Sequence, residues 1–277
     1  MSTLSRPTPR FRHFVTAFAT AAMLHAGSAQ AASSEWATNE GGRMRLVVLP
    51  AAADGTLQAA LQIEPTPGWI TYWREPGDAG IPPAISLDPE SQLTLGEISF
   101  PVPKRIDNGD IRDIGYDTAV TLPFTIQGAV TATDTVKANV FIGICKNICI
   151  PFQAELTVAL DATSDPEEDA ILASARRALP EPASGNFGVD SHQMSGALDR
   201  LDLSLELPSP DNHPQVFVTG PSGHVFMDYE VVSAAGGKLA ISMPIEELPR
   251  NYKIAGKTWG ILVLSGNRAM ESTLAFD

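Results

Sequence analysis

Met44-Arg45-Leu46-Val47-Val48-Leu49 and Leu57-Gln58-Ala59-Ala60-Leu61-Gln62-Ile63 are short apolar runs with alternation, and they read as β-strands. Working outward, further strand-like runs cover Leu93 to Phe100, Ala119 to Ile126, Val136 to Ile144 and Ala154 to Leu160. Pro, Gly, Asn and Asp clusters separate them and favour turns. Short strands at such intervals predict an all-β sandwich. The stretch from Asp165 to Leu179 breaks the rhythm. Pro166 suits a first helical turn, acidic residues follow it, and Ile171, Leu172, Ala175 and Leu179 recur at helical spacing. One helix is expected there. Pro180-Glu181-Pro182-Ala183-Ser184-Gly185 then reads as a linker, after which strands resume at 201–207, 215–219, 229–232, 239–243, 258–265 and 272–276. The expected plan is a β-sandwich over 32–164, a helix and linker over 165–185, and a second, smaller β domain over 186–277.

The first 31 residues read as an address. Arg6, Arg10, Arg12 and His13 lead into a short apolar run from Phe14 to Leu24, and Ala29-Gln30-Ala31 fits the small-x-small pattern of signal-peptide cleavage. An apolar core of about ten residues is too short to span a bilayer, and no later run reaches ~18. Export to a bacterial periplasm and no membrane insertion are the expectations. The whole chain has 277 residues, with 19 Lys+Arg against 32 Asp+Glu. Without the three leader arginines, 16 basic residues face 32 acidic ones. A chain this acidic is repelled by phosphate backbones and anionic membrane surfaces, so nucleic acid is set aside as a partner. The 44% apolar content also excludes a disordered or collagen-like chain.

Both cysteines fall in Phe141-Ile142-Gly143-Ile144-Cys145-Lys146-Asn147-Ile148-Cys149-Ile150-Pro151. Residues four apart on a straight strand lie about 13 Å apart, whereas a disulfide needs Cα atoms roughly 4.4 to 6.8 Å apart, so bonding requires a turn. The β-rich run before Cys145 and the proline after Ile150 favour a hairpin turn at Lys146-Asn147 over a helical one, with Asn147 able to take a left-handed conformation. A structural disulfide is one reading of the pair. A ring this small stabilises by only ~2 kcal/mol, against ~4.7 for a loop of a hundred residues, which favours reversible exchange instead. Lys146 is placed to favour a neighbouring thiolate. A Cu(I) or zinc site on two thiolates is under-supplied with ligands. The histidines after the leader are His192, His213 and His224, all in the second half, and the methionines are scattered. Asp190, His192, Asp211 and His213 sit in polar, loop-like stretches where solvation suffices, so no metal or other cofactor is expected. Neither a Gly-x-Ser-x-Gly elbow nor a phosphate-binding glycine loop occurs.

Several motifs in order carry a family resemblance. Pro67-Gly68-Trp69-Ile70-Thr71-Tyr72-Trp73-Arg74-Glu75-Pro76-Gly77-Asp78-Ala79-Gly80-Ile81-Pro82-Pro83 is followed by Phe100-Pro101-Val102-Pro103-Lys104-Arg105, by Gly115-Tyr116 with Leu122-Pro123, and by Cys145-Lys146-Asn147-Ile148-Cys149-Ile150-Pro151. The set resembles the N-terminal periplasmic region of DsbD-type thiol:disulfide interchange proteins, in particular their suppressor-of-copper-sensitivity (ScsB) branch. It covers roughly Trp36 to Leu160, and more loosely the second β unit to Phe276.

The resemblance implies an immunoglobulin-like sandwich whose cysteine pair relays electrons from a membrane reductase to periplasmic thioredoxin-fold partners. Cys149 would be the exchanging thiol and Cys145 the resolver. Ile114-Gly115-Tyr116 resembles the loop that covers the family's cysteines, with Tyr116 as the shield. Trp69, Tyr72 and Trp73 are expected in core and sheet-face packing. The best-known family domain spaces its cysteines more widely, and full-length members continue into a transmembrane conduit and a thioredoxin-like domain, neither of which is expected within these residues. The electron donor is therefore expected to be a separate membrane protein. The competing reading is a non-enzymatic interaction or copper-tolerance protein with a structural disulfide or a Cu(I)-binding thiol pair.

Overall fold

A computed structural model describes Met1 and residues 33–277, except 78–79, 110, 131–133, 161–165, 211–212 and 247. The leader expected over 1–31 lies, but for Met1, outside the described residues. In chain order the first eleven strands are β1 (Ala37–Asn39), β2 (Gly42–Val48), β3 (Leu57–Pro65), β4 (Ile70–Gly77), β5 (Ala84–Leu87), β6 (Thr94–Leu95), β7 (Lys104–Asn108), β8 (Ile111–Tyr116), β9 (Val120–Gln127), β10 (Thr135–Cys145) and β11 (Cys149–Ala159). Helix α1 (Pro166–Arg177) follows. The remaining strands are β12 (Glu181–Pro182), β13 (Gly188–Met194), β14 (Arg200–Glu206), β15 (Gln215–Thr219), β16 (Val225–Phe226), β17 (Glu230–Ala235), β18 (Lys238–Pro244), β19 (Lys257–Ser265) and β20 (Arg268–Phe276).

These strands make an all-β, immunoglobulin-like architecture of four sheets. One sheet runs β1-β2-β3-β9-β6 and faces a second ordered β11-β10-β4-β8-β7, with β5 also paired to β10. On β10, Val136, Ala138, Val140, Ile142 and Ile144 alternate inward to meet Leu46, Leu61 and Leu122 of the opposite sheet. The later strands form the sheets β12-β20-β19-β15-β16 and β13-β14-β18-β17 around Phe187, Leu203, Ile241 and Trp259.

Alternation locates β2, β3, β9 and β10 within one or two residues of expectation, and β14, β15, β18 and β19 likewise. The run Leu93 to Phe100 keeps only β6 as regular strand, and beyond it the backbone follows β9 irregularly, through Gly96 N to the Thr125 carbonyl at 2.8 Å and Ser99 N to the Pro123 carbonyl at 2.9 Å. The polar stretch around Asp190 and His192 is strand β13, where Lys238 Nζ lies 3.7 Å from Asp190 and His192 Nε2 is 2.8 Å from the Ala275 carbonyl. Of the other two residues in that group, Asp211 lies outside the described residues and His213 is exposed on the approach to β15.

Helix α1 carries Glu167, Glu168 and Asp169 in its first turn and Arg176 and Arg177 in its last, matching the helix dipole. Leu172 is buried against Val47 and Ala60 on the outer face of the β2–β3 pair. That cover explains why β2 is apolar on both faces at Val47 and Val48. The segment expected as a linker is held too: β12 runs parallel to β20, and Arg268 pairs through two nitrogens with Glu181 at 2.7 Å.

The two halves share apolar packing. Phe217, Val225, Met227 and Leu262 belong to the same buried cluster as Trp73 and the sandwich core, and the Trp73 and Phe217 rings lie 6.4 Å apart. Arg74, the next residue on β4, hydrogen-bonds and ion-pairs with Glu271 of β20 and lies over the Trp73 ring. Strand β4 is thus fixed by the second half of the chain, which matters because it also lines the cysteine site.

Candidate functional site

The β10–β11 hairpin pairs without interruption from Thr135↔Ala159 to Cys145↔Cys149, so the cysteines face each other across the last rung. They form a disulfide with Cα atoms 4.1 Å apart. The turn is Lys146-Asn147-Ile148, as the spacing predicts. It closes without a left-handed Asn147: among the described residues the non-glycine positions with positive φ are Gln92, Leu198 and Asn251. The two sulfurs are not equivalent. Cys145 lies on β10, which pairs with β4 on its other side at Ile70, and only 5% of it is exposed. Cys149 opens the edge strand β11 and is exposed. An incoming thiol can reach Cys149 but not Cys145.

Tyr72 of β4 places its Oη 3.2 Å from Cys149 Sγ. Its ring fits because two glycines flank it. A Cβ at Gly80 would stand 2.3 Å from Tyr72 Cδ1, and one at Gly143 3.2 Å from Cδ2. The Tyr72 hydroxyl also hydrogen-bonds Asp113 of β8. Burial first, and then the Asp113 charge, push the Tyr72 pKa well above its ordinary value. Its hydroxyl therefore stays protonated at working pH and acts as a donor, not as a base. Asp113 is buried at 7% exposure and brings its charge to the wall of the cavity beside the disulfide. Lys146 opposes that charge from the rim, where its aliphatic stem lies over Gly68.

A cavity of about 560 Å³ opens beside the disulfide. Tyr72, Ile106, Asp107, Ile111 and Asp113 form one wall, and the Cys145–Cys149 turn forms the other. Ile111 and Ile148 are 42% and 71% exposed, and both face this opening. The rim is thus apolar, with charge at its edges.

The expected shield is not in this wall. Tyr116 is 6% exposed inside the sandwich, with its hydroxyl donating to the Pro101 carbonyl at 2.7 Å, and Ile114 is wholly buried in the same core. Gly115 serves close strand approach, since a Cβ there would stand 2.1 Å from the Thr71 carbonyl oxygen. The other end of β8 borders the cysteines instead. The β4–β8 register jumps from Tyr72↔Gly115 to Gly77↔Asp113, and Ile106 and Asp107 of β7 with Ile111 and Asp113 of β8 line the cavity beside the disulfide. Sequence reasoning therefore placed Cys145, Cys149 and Lys146 at the site and missed Tyr72, Asp113, Ile106, Ile111 and Ile148. The one available signal was Asp113, a lone carboxylate on a strand otherwise rich in buried residues.

Among the described residues no group of three or more His, Cys, Asp or Glu side chains is placed to hold a metal ion, and no helix is long and apolar enough to cross a membrane.

Residues 44–161 match the family described as thiol:disulfide interchange protein DsbD, N-terminal. The crystal structure of the N-terminal periplasmic domain of ScsB from Proteus mirabilis superposes with a TM-score of 0.71 at 22% identity, covering 90% of this chain and 100% of that one. A conserved domain protein from Bacillus anthracis aligns over 83% of this chain and 75% of that one at 14% identity, with a TM-score of 0.21. No curated protein matches by sequence. By sequence over residues 44–161, and by fold over nine-tenths of its length, this chain is thus similar to the N-terminal regions of DsbD and ScsB, and the Cys145–Cys149 disulfide lies within the matched stretch.

Proposed function

We propose that the protein acts in the periplasm, passing electrons to thioredoxin-fold partners through Cys149. In the reduced form the Cys149 thiolate attacks a partner's disulfide, forming a mixed disulfide and releasing one partner thiolate. Cys145 then attacks the Cys149 sulfur and releases the second. The Cys145–Cys149 bond closes, and the partner has gained two electrons and, from solvent, two protons. A separate membrane-embedded dithiol reductase would reopen the bond by the reverse sequence.

The observation that carries this reading is the asymmetry of the pair, with Cys149 exposed on an edge strand and Cys145 buried one rung away. Tyr72 supports it by offering a hydroxyl to the Cys149 sulfur as charge develops there. The apolar rim of Ile111 and Ile148 suits a partner whose cysteine is surrounded by apolar surface.

Cys145→Ala is expected to trap a covalent complex with a periplasmic thioredoxin-fold protein through Cys149, and replacing both cysteines is expected to abolish capture. Failure of Cys145→Ala to trap any such protein overturns the proposal. The reduction potential separates exchange from a structural bond. A value near −120 to −230 mV belongs to catalytic pairs, and one below about −300 mV to structural disulfides.

A further inference from the structure

Exchange with a partner's cysteine needs an accessible sulfur, but it does not need the hollow beside that sulfur. The cavity of about 560 Å³ has the volume of a small-molecule site. Ile70, Ile106, Ile111 and Ile148 line it together with Tyr72, and the exposed Cys149 stands at its edge. With Ile111 and Ile148 42% and 71% exposed, water meets apolar surface here that a small organic group would cover. The sulfur chemistry is specific as well. Cys145 lies one rung from Cys149, the arrangement in which a sulfenic acid on the exposed cysteine is captured as a disulfide. Tyr72 places its Oη 3.2 Å from Cys149 Sγ, and burial keeps that hydroxyl protonated, so it can donate to charge that develops beside the sulfur.

We propose that Cys149, Tyr72 and the isoleucine-lined cavity form a hydroperoxide-reducing site whose substrates are alkyl and aryl hydroperoxides. The Cys149 thiolate attacks the terminal peroxide oxygen and the O–O bond breaks, leaving a sulfenic acid on Cys149 and an alkoxide. Tyr72 donates a hydrogen bond to the alkoxide, which takes a proton from solvent and departs as the alcohol. The Cys145 thiolate then attacks the Cys149 sulfur and expels hydroxide, which solvent protonates to water. The two protons taken up match the two that the thiols release. The dithiol has lost two electrons, the hydroperoxide has become alcohol and water, and the Cys145–Cys149 bond is closed, as it is in the structure. A second dithiol reopens it by exchange.

Hydroperoxide reduction rests on the exchange reading only for the division of labour between the two sulfurs, and its test uses no protein partner, so the two can fail separately. The full-length protein is reduced with dithiothreitol, freed of it, and mixed with cumene hydroperoxide or hydrogen peroxide while thiol loss is followed. The ratio of the cumene hydroperoxide rate constant to that of hydrogen peroxide is expected to exceed the ratio for N-acetylcysteine by about tenfold or more, because the cavity takes up the cumyl group. Ile111→Ser combined with Ile148→Ser, both at exposed positions, is expected to bring the ratio down to that of N-acetylcysteine. Cys145→Ser treated with cumene hydroperoxide and dimedone is expected to carry the adduct on Cys149. Tyr72→Phe is expected to slow the cumene hydroperoxide reaction about fivefold more than it slows iodoacetamide alkylation, whose leaving iodide needs no hydroxyl donor. A ratio no greater than that of N-acetylcysteine, absence of the dimedone adduct, or equal slowing of both reactions by Tyr72→Phe overturns the proposal. Oxidation of the same reduced protein by the neutral bis(2-hydroxyethyl) disulfide, without any preference for cumene hydroperoxide, overturns it while leaving exchange intact.

Discussion

Tyr72→Phe removes one atom from the site and tests whether the hydroxyl stabilises the Cys149 thiolate. The atom lies 3.2 Å from Cys149 Sγ and is bonded to the buried Asp113 carboxylate. Taking a donor from a charged, buried acceptor costs about 1 to 3 kcal/mol. For a chain of this size that lowers Tm by roughly 2 to 12 °C. The hydroxyl has one proton to give, so it bonds Asp113 while the disulfide is closed and turns to the sulfur when a thiolate forms. There, loss of a donor worth ~1 kcal/mol raises the midpoint for thiolate formation by about 0.7 unit. The thiolate fraction below the midpoint then falls about fivefold. Each remaining thiolate becomes about twofold more nucleophilic at a Brønsted slope of ~0.4 to 0.5, so the net rate at neutral pH falls about two- to threefold. The assay is iodoacetamide alkylation of Cys149 against pH, in a Cys145→Ser background with and without Tyr72→Phe. A midpoint that stays in place or moves down refutes the role given to the hydroxyl.

Two further outcomes follow from the packing. Trp73→Ala empties the centre of the shared cluster and is expected to cost about 3 to 5 kcal/mol in thermal or denaturant unfolding, and to split one transition into two as the halves uncouple. A single transition displaced by less than about 1 kcal/mol would contradict the shared core. Tyr72 and Tyr116 both have pKa values raised by burial, so the folded state holds their protons longer than the unfolded chain does. The stability this gives is fully present below about pH 10 and is lost as pH rises beyond it. Urea titrations between pH 8 and pH 11.5 should show that fall, and Tyr116→Phe should shallow it; stability that rises above pH 10 would invert the sign and rule out the assignment.

Strand β4 shows why part of the site escaped a reading from sequence. Its residues are claimed on both faces, Tyr72 by the cysteines and Trp73 by the core and Phe217, so Thr71-Tyr72-Trp73-Arg74 has no two-residue alternation to recognise. Strands β7 and β8 were not expected from the sequence, and which of their residues border the cysteines depends on where the ladder of β8 with β4 breaks. Tyr116 looked like the cover because it is aromatic and lies within the family's motif. The structure instead places it in the sandwich core, with its hydroxyl donating to the Pro101 carbonyl.

Local chemistry is written directly in the chain. Alternation at Met44 to Ile63 and Val136 to Ile144 yields the sandwich, the acidic-to-basic gradient from Glu167 to Arg177 yields the helix, and the short Cys145 to Cys149 spacing demands a hairpin, because each depends on neighbours a few residues apart. The working environment of the sulfurs does not share that locality. Tyr72 reaches Cys149 across 77 positions and Arg112 reaches Asp228 across 116, so burial of one cysteine and exposure of the other arise only when distant strands pack. Hydrogen bonds and ion pairs act over a few ångströms of space, and that proximity is a property of the assembled sheets.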